Sequence, residues 1–538
     1  MHGRLKLRPP DAARRRQREE KLRQYRESME ALLGGPPPAQ VLSLTGSVLA
    51  SNPDVGTCWN LRRRALGALG GDWVPSELAF VGQCLGVNPK SYGAWHHRSW
   101  VLARAPPAGR EDLALCERLL AADPRNFHAW EHRRSLSASR DAEAELSFAG
   151  DLLSRDFSNF SAWQHRLRVL GAAGDCGKGA LSQDRLQKEL ELVHHAVFTD
   201  PTDQSPWVYL RCLLSRGPEK PRVVFVHVDR EDSTLSVVFS RPVKVSPEWP
   251  ELEVTLDGSA LGVSWSSGEG RPRPSHTWLC DLPAPPTQSP AHFEVTWSRG
   301  SAPVAVTLQP GEAEAWWEEP IREQELFWPE VGGACPQVLR AQVGPCRELL
   351  ELEPQSRGCL LTLSLLLAAL DPRGHAQEIR EHLRNLQDAD PLRSGFVADV
   401  RSRFEVVLGI LGAGEGLSLP SKGLTVVPLL ERVASITRLE LPGNELGAVP
   451  GALGAMRRLR ELDLSDNHVT DLGSAPPLPR LELLRLDRNP ISHASALSSL
   501  AAWPRLARLR LAETPLGSAP DGPAHVTELL PRVDVAFS

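Results

Sequence analysis

The sequence lacks the features that mark a secreted, membrane-spanning or metal-binding chain. Its nine cysteines are odd in number and scattered, without a CxxC pair, and no set of cysteines and histidines has the spacing of zinc ligands. No apolar stretch follows the basic amino-terminal residues, as a secretory signal would require. No apolar run approaches the ~20 residues needed to cross a bilayer. These absences predict a cytoplasmic protein with reduced thiols and no metal site in its own core.

A strong charge of either sign is also missing. The net charge is -5 over 538 residues, so no global basic surface points to nucleic acid. A chain of this length is too long for a single hydrophobic core, and we expect roughly three to four domains.

Tryptophan recurs at a nearly fixed interval in the first part of the chain. Five Trp residues are spaced by 36, 35, 33 and 44 residues, a period typical of a solenoid of helical hairpins. Four of them follow a proline by six positions, and the residue before a proline avoids helical geometry, which predicts a loop there. An Arg three or four residues after each Trp lies on the same helix face. We expect these pairs to be structural: Trp59, Arg62, Trp95, Arg98, Trp130, Arg133, Trp163, Arg166, Trp207 and Arg211.

Histidines also recur just after these Trp residues. His96, His97, His132 and His165 follow them by one or two positions. Neutral histidine commonly forms hydrogen bonds in helix seams, so we expect these rings to pack or to bond locally.

The pattern changes between residues 220 and 310. Short β-branched and aromatic segments, separated by Pro, Gly and Ser, predict a β-sandwich inserted in a solenoid loop. The seven predicted strands are Val223–Val228, Leu235–Phe239, Leu252–Leu256, Leu261–Trp265, Thr277–Leu279, Phe293–Trp297 and Val304–Leu308. A helical pattern resumes near Glu318. It includes a degenerate sixth repeat in which Leu360 and Leu363 stand where Trp and Arg would be.

A second repeat begins near Leu417. The pattern LxxLxLxxNxL predicts leucine-rich repeats, with successive Asn-position residues 22, 23, 22 and 25 residues apart: Lys422, Asn444, Asn467, Asn489 and Thr514. The predicted architecture is multidomain: an α-α hairpin solenoid with an inserted immunoglobulin-like β-sandwich and carboxy-terminal leucine-rich repeats. Its predicted domains are residues 1–217 (helical repeats), 218–317 (sandwich), 318–411 (continued helical repeats) and 412–538 (leucine-rich repeats).

The Trp repeats resemble the signature of protein prenyltransferase alpha subunits. The resemblance is carried by NPKSYGAWHHR at residues 88–98 and RNFHAWEHR at residues 125–133. Together with the inserted sandwich and the leucine-rich repeats, these motifs resemble the alpha subunit of Rab geranylgeranyltransferase, the type II enzyme. Two alternatives are a non-catalytic adaptor and the alpha subunit of a farnesyl or type I geranylgeranyl transferase. The leucine-rich repeats disfavour the latter.

This resemblance implies a reaction shared between two chains. A beta subunit holds zinc and geranylgeranyl diphosphate, and the zinc binds a substrate cysteine as thiolate. The thiolate attacks C1 of the lipid, diphosphate leaves, and the lipid is attached to carboxy-terminal cysteines of Rab GTPases presented by an escort protein. No nucleic acid and no transmembrane segment belong to this prediction.

The resemblance also assigns site residues. The family's diphosphate-contacting lysine and its nearby tyrosine match Lys90 and Tyr92, and two substrate-rim positions match Asn126 and His128. A cation beside the leaving diphosphate stabilises charge that develops in the transition state. His2, on the amino-terminal arm, is a further candidate that could reach a metal in a neighbouring subunit.

Overall fold

The structure is a computed structural model that describes residues 12–104, 109–136, 141–172, 181–215, 220–245, 251–268, 274–283, 288–300, 302–321, 323–326, 335–473 and 475–538. It contains two compact units. One comprises Met1–Val197 and Asp203–Tyr209, and the other comprises Phe198–Thr202 and Leu210–Ser538.

The first unit is built from helical hairpins. Its helices are α1 Ala12–Leu33, α2 Pro38–Ser51, α3 Gly56–Leu69, α4 Val74–Val87, α5 Tyr92–Leu102, α6 Gly109–Ala122, α7 Phe127–Leu136, α8 Ala142–Arg155, α9 Phe160–Ala172, α10 Gln183–Thr199 and α11 Gln204–Leu214, the last two contributing residues to both units. The recurring Trp residues lie near the start of α3, α5, α7, α9 and α11, as predicted for the second helix of each hairpin.

A repeated set of hydrogen bonds shapes the loop before these second helices. The indole N–H of Trp95 donates to the carbonyl of Pro89, six residues earlier, at 2.9 Å. The side chain of Ser91 caps α5 by accepting from the Ala94 N–H and donates to the carbonyl of Pro53 in the preceding loop. Because an N-cap satisfies an amide that the helix leaves unpaired, the loop defines the start of its own helix and also bonds its neighbour.

After the inserted strands, the second unit continues with further helices. Its helices are α12 Glu323–Leu326, α13 Pro336–Leu352, α14 Arg357–Leu370, α15 Ala376–Ala389 and α16 Ser394–Leu411. Ser356, just before α14, donates to the carbonyl of Pro201 at 3.2 Å. Arg211 donates to the hydroxyl of Thr362 in α14. The repeat-type loop contact therefore joins residues on either side of the insertion, as expected for a sandwich placed in a solenoid loop.

The inserted residues form two antiparallel sheets with an apolar core between them. The strands are β1 Val223–Asp229, β2 Thr234–Val243, β3 Leu252–Leu256, β4 Ser259–Ala260, β5 Ser266–Ser267, β6 Ser275–Asp281, β7 Ala291–Trp297, β8 Val304–Leu308 and β9 Glu314–Glu318. One sheet has the order β5-β6-β2-β1-β9 and the other β4-β3-β7-β8. The predicted sandwich is confirmed.

Two details of the sandwich differ from the sequence prediction. Residues 261–265 are not a strand, because they connect β4 of one sheet to β5 of the other. Glu314–Glu318 was not among the predicted strands, and it forms β9, which pairs with β1. Helix follows only from Glu323.

The carboxy-terminal region is a parallel sheet of short strands with leucines buried behind it. Its elements are β10 Gly416–Ser418, β11 Arg438–Glu440, β12 Glu461–Asp463, β13 Leu483–Arg485, β14 Arg508–Arg510, α17 Pro515–Ser518, α18 Gly522–Leu529 and β15 Asp534–Ala536. Successive leucines pair in register, Leu439 with Leu462 and Leu462 with Leu484. This confirms the leucine-rich repeats, and β15 extends them by one strand that the motif search did not predict.

Within this unit the sandwich packs directly on the leucine-rich repeats. Phe225 and Val238 share a small apolar cluster with Ala434 and Ala455. Beside it the buried Arg480 donates to Asp229 at 2.7 Å and lies 3.0 Å from Glu314. Buried ion pairs of this kind are costly to break because one charge is left without a partner.

The described helices include none that combines the length and the apolar character needed for a membrane span.

Candidate functional site

Buried carboxylates connect successive helical hairpins. Glu77, on α4, accepts from Arg62 at 2.7 Å through each of its oxygens and lies 2.6 Å from the Nε2 atom of His97. The same arrangement of Arg, acid and ring recurs along the array: Arg98–Asp112–His132, Arg133–Glu145–His165 and Arg166–Glu189–Tyr209. Each acid therefore joins the Arg of one hairpin to the ring of the next.

These contacts explain the recurring Arg and His residues. Arg62 and Arg98 also donate to carbonyls of Leu42 and Leu78 on the neighbouring helix. The local bonding predicted for His97, His132 and His165 is confirmed. In the fifth repeat Tyr209 occupies the histidine position.

Three of the bridging acids, Glu77, Asp112 and Glu145, are held in their charged form. Burial alone would raise the pKa of Glu145, but hydrogen bonds from His165 and Arg133 lower it to about 2. Burial opposes ionisation of Glu77 and Asp112 as well, and their His and Arg partners nevertheless lower the pKa of both carboxyls. Burial lowers the pKa of His97, although Glu77 acts in the opposite direction. The Arg62 guanidinium is therefore the main counter-charge for Glu77.

Sequence reasoning missed these acids, although a signal for them exists. Each acid precedes its ring partner by 20 residues: Glu77 to His97, Asp112 to His132, Glu145 to His165 and Glu189 to Tyr209. An acid at a constant distance from a recurring His is a detectable repeat position. The interval was overlooked because an acid on an amphipathic helix also fits an ordinary solvated face.

Lys90 lies in the loop that joins the two helices of one hairpin, between α4 and Ser91, which caps α5. Its N–H donates to the Asn88 side chain at 3.0 Å, which fixes the turn. Its ammonium is 2.8 Å from Asp123, and the lysine side chain is 61% exposed. Lys90 is therefore an accessible cation on a well-defined main chain.

Tyr92 and His128 form an aromatic contact beside Lys90. Tyr92 is 72% exposed, and its ring meets the edge of the His128 ring with centroids 4.4 Å apart. The His128 ring, in turn, lies nearly parallel to the Trp95 ring. His128 thus occupies the place against a Trp that Gly93 occupies in the preceding repeat, where an added Cβ would come within 2.6 Å of Trp59.

The His128 ring is buried. Its Nε2 atom is itself buried and has no hydrogen-bond partner among the described residues. Burial is the main cause that lowers its pKa, and the charge of Lys90 adds to the effect. The site therefore presents an exposed ammonium and an exposed phenol, with a buried imidazole packed against the phenol ring.

Asn126 contributes to this site from within. Its side-chain amide donates to the carbonyl of Pro89 at 3.0 Å and accepts from the N–H groups of His128 and Ala129. It is fully buried. The structure thus brings Lys90, Tyr92, Asn126 and His128 together, with Asn126 holding the two loops in place.

Two other expectations concern metal. His2 lies outside the described residues. Within the described part of the chain, no group of three or more His, Cys, Asp or Glu side chains is arranged to hold a metal ion.

Family models match both the helical repeats and the insertion. "Protein prenyltransferase alpha subunit repeat" matches residues 74–105, 110–139, 142–173 and 186–217. "Rab geranylgeranyl transferase alpha-subunit, insert domain" matches residues 223–320.

Individual relatives extend the match to nearly the whole chain. "Geranylgeranyl transferase type-2 subunit alpha" from Bos taurus is 40% identical over 562 aligned residues, covering 99% of this chain and 99% of the relative. The protein of the same name from Homo sapiens is 40% identical, covering 91% of each chain. One from Dictyostelium discoideum is 32% identical over 44% of this chain and 81% of its own length. Repeats, insertion and full-length similarity agree, and the chain belongs to the family of alpha subunits of Rab geranylgeranyltransferase, the geranylgeranyl transferase of type 2.

Proposed function

We propose that this chain works in a heterodimer that transfers geranylgeranyl from geranylgeranyl diphosphate to carboxy-terminal cysteines of Rab GTPases presented by an escort protein. The observation that carries the proposal is the cluster of Lys90, Tyr92 and His128, which places an accessible cation beside two polar rings. Full-length similarity to proteins named type-2 alpha subunits supports the choice of lipid.

Zinc and lipid belong to the beta subunit in this proposal. When bound, zinc supplies a thiolate in place of a thiol, which is the better nucleophile. The alpha subunit supplies a scaffold and the rim residues. We therefore expect the purified alpha chain to show no transferase activity and no stoichiometric zinc. Tight zinc in the isolated chain would contradict this division.

Lys90 acts on the leaving group in this proposal. Its ammonium has three N–H donors and can bond diphosphate oxygens as negative charge accumulates on them. The exposed phenol of Tyr92 is placed to donate to the same oxygens. His128 supports the rim by packing against the ring of Tyr92, and Asn126 keeps the loops of Lys90 and His128 at a constant separation.

The test is a single-turnover measurement on the heterodimer. Lys90→Ala should slow the chemical step about tenfold or more, with a smaller change in geranylgeranyl diphosphate binding. Arg125→Ala is the matched control, because Arg125 holds the same loop position one repeat later. A wild-type rate for Lys90→Ala would exclude the leaving-group role.

The partners can be identified by co-purification. A tagged full-length chain should retain a prenyltransferase beta subunit, and it should retain an escort protein when Rab and lipid are present. We place this assembly in the cytosol, because the described cysteines are free thiols, as in reducing compartments. Recovery of a beta subunit specific for farnesyl transfer would contradict the type II assignment.

A further inference from the structure

Side-chain contacts connect neighbouring loops before the second helices in three places. The residue that follows the proline in one loop contacts the residue that precedes the proline, or Phe157 in its place, in the next loop. Asp54 accepts from Asn88 at 2.9 Å, Lys90 lies 2.8 Å from Asp123, and Arg125 lies 3.4 Å from Asp156. The three contacts join equivalent loop positions. Among them, only the contact at the proposed site is made by a lysine.

Asp123 is fixed by its own main chain. Its N–H donates to the carbonyl of Leu119 at the end of α6. One carboxylate oxygen accepts from the N–H of Arg125 at 3.1 Å, which leaves the other oxygen for Lys90. The carboxylate therefore has a defined position before Lys90 reaches it.

The Lys90–Asp123 ion pair lowers the pKa of the acid, yet it is weak enough for a diphosphate to compete for the ammonium. The hydrogen bond from Lys90 is the main cause that holds the pKa of Asp123 below its usual range, so the acid is charged at neutral pH. Both side chains are partly exposed, at 61% and 37%. Exposed ion pairs contribute little, and a diphosphate carries more charge than one carboxylate.

We infer that Asp123 is a positioning residue for Lys90: it holds the ammonium at the edge of the loop so that its remaining N–H groups can reach the leaving diphosphate. This inference rests on the proposed function. Without Asp123 the flexible lysine stem samples many rotamers, and the correct one must be selected in each turnover.

Asp123→Asn is the variant that tests the inference. Asn52 and Asn88 occupy the same loop position in two other repeats and accept the same turn hydrogen bond, at 3.1 and 3.0 Å. The substitution therefore keeps the turn and removes only the charge. In the heterodimer with geranylgeranyl diphosphate and escort-bound Rab, the single-turnover rate should fall about two- to fivefold. Asp156→Asn, which removes the acid of the next contact, should leave that rate unchanged.

A double-mutant cycle separates positioning from a general structural role. In a Lys90→Ala background, Asp123→Asn should cause no further loss, because no ammonium remains to be positioned. A structural role would give the same loss in both backgrounds. Raising the salt concentration should also reduce the difference between the wild type and Asp123→Asn, since salt screens an exposed pair.

The outcomes distinguish the two proposals. If Lys90→Ala transfers lipid at the wild-type rate, the role of Lys90 fails, and the inference fails with it. If Lys90→Ala is slow, three results overturn the inference alone: an Asp123→Asn rate at or above wild type, a rate equal to that of Asp156→Asn, or additive losses in the cycle.

Discussion

In the helical repeats, neighbouring units are joined by buried charges, whereas in the leucine-rich repeats they are joined by neutral amides. Glu145 bonds Arg133 of one hairpin and His165 of the next. Asn467 instead donates to the carbonyls of Leu441 and Leu464 and accepts from the N–H of Leu446. Both kinds of contact satisfy polar groups across a repeat boundary, and only the contact through a carboxylate depends on ionisation.

The difference follows from what each array leaves unpaired. Helices satisfy their own backbone groups except at the ends, so side chains are free to bond one another between hairpins. The turns beside short parallel strands leave amides and carbonyls unpaired, and a buried polar group without a partner is costly. An Asn amide, with two donors and an acceptor, meets that need without introducing a charge.

The largest expected effect comes from removing a bridging acid. Glu77→Ala should lower the free energy of unfolding around α3–α5 by about 3–5 kcal/mol, because it leaves Arg62 buried without its carboxylate. Hydrogen exchange of peptides from these helices in the full chain measures the loss. Glu117→Ala is the control, since that acid is 52% exposed and should change exchange little. A loss as small as the control's would show that the bridges are not stabilising.

As the pH falls, the helical repeats should lose stability before the leucine-rich repeats do. The pKa of Glu145 is lowered to about 2 from an ordinary value of 4.5, so its contribution is complete above 4.5 and is lost as pH falls toward 2. A shift of this size corresponds to at most about 3 kcal/mol. Hydrogen exchange in α8 and α9 should speed up over this interval more than exchange around Asn467. Glu145→Gln should remove part of that pH dependence, and equal acid sensitivity in the two arrays would contradict the comparison.

The smallest of the three effects is expected for an Asn that joins neighbouring leucine-rich repeats. Asn467→Ala should cost about 2 kcal/mol, because buried carbonyls and an amide lose their partner without any charge being exposed. The exposed neighbour His468 provides the control substitution to Ala. Local hydrogen exchange should show the loss at β11–β13. If Asn467→Ala lost more stability than Glu77→Ala, the neutral amides would contribute more than the buried charges, contrary to this prediction.

Much of the fold was predictable because it repeats. The Leu pattern predicted the positions of β11–β14, and the Trp interval located the second helices. β15 was missed because a single partly buried position, Val535, replaces the full motif there. The helical pattern predicted to resume near Glu318 begins only at Glu323, because Glu314–Glu318 pairs with the edge of β1, a preference set by tertiary context.

The site was predictable in part for a different reason. Lys90 and Tyr92 match residues of the family motif, so the resemblance identified them. Asp123 did not stand out, since an acid before a proline is expected of a turn in any repeat. Its partnership with Lys90 depends on the distance between two loops, which a sequence pattern does not report.

The buried Arg480 has a consequence for the order of events during synthesis. It bonds Asp229, 251 residues earlier in the chain. At the usual pace of about 5–20 residues per second, a ribosome needs on the order of 13–50 seconds to travel between them. For that interval the carboxylate of Asp229 in the nascent sandwich has no Arg480 to pair with.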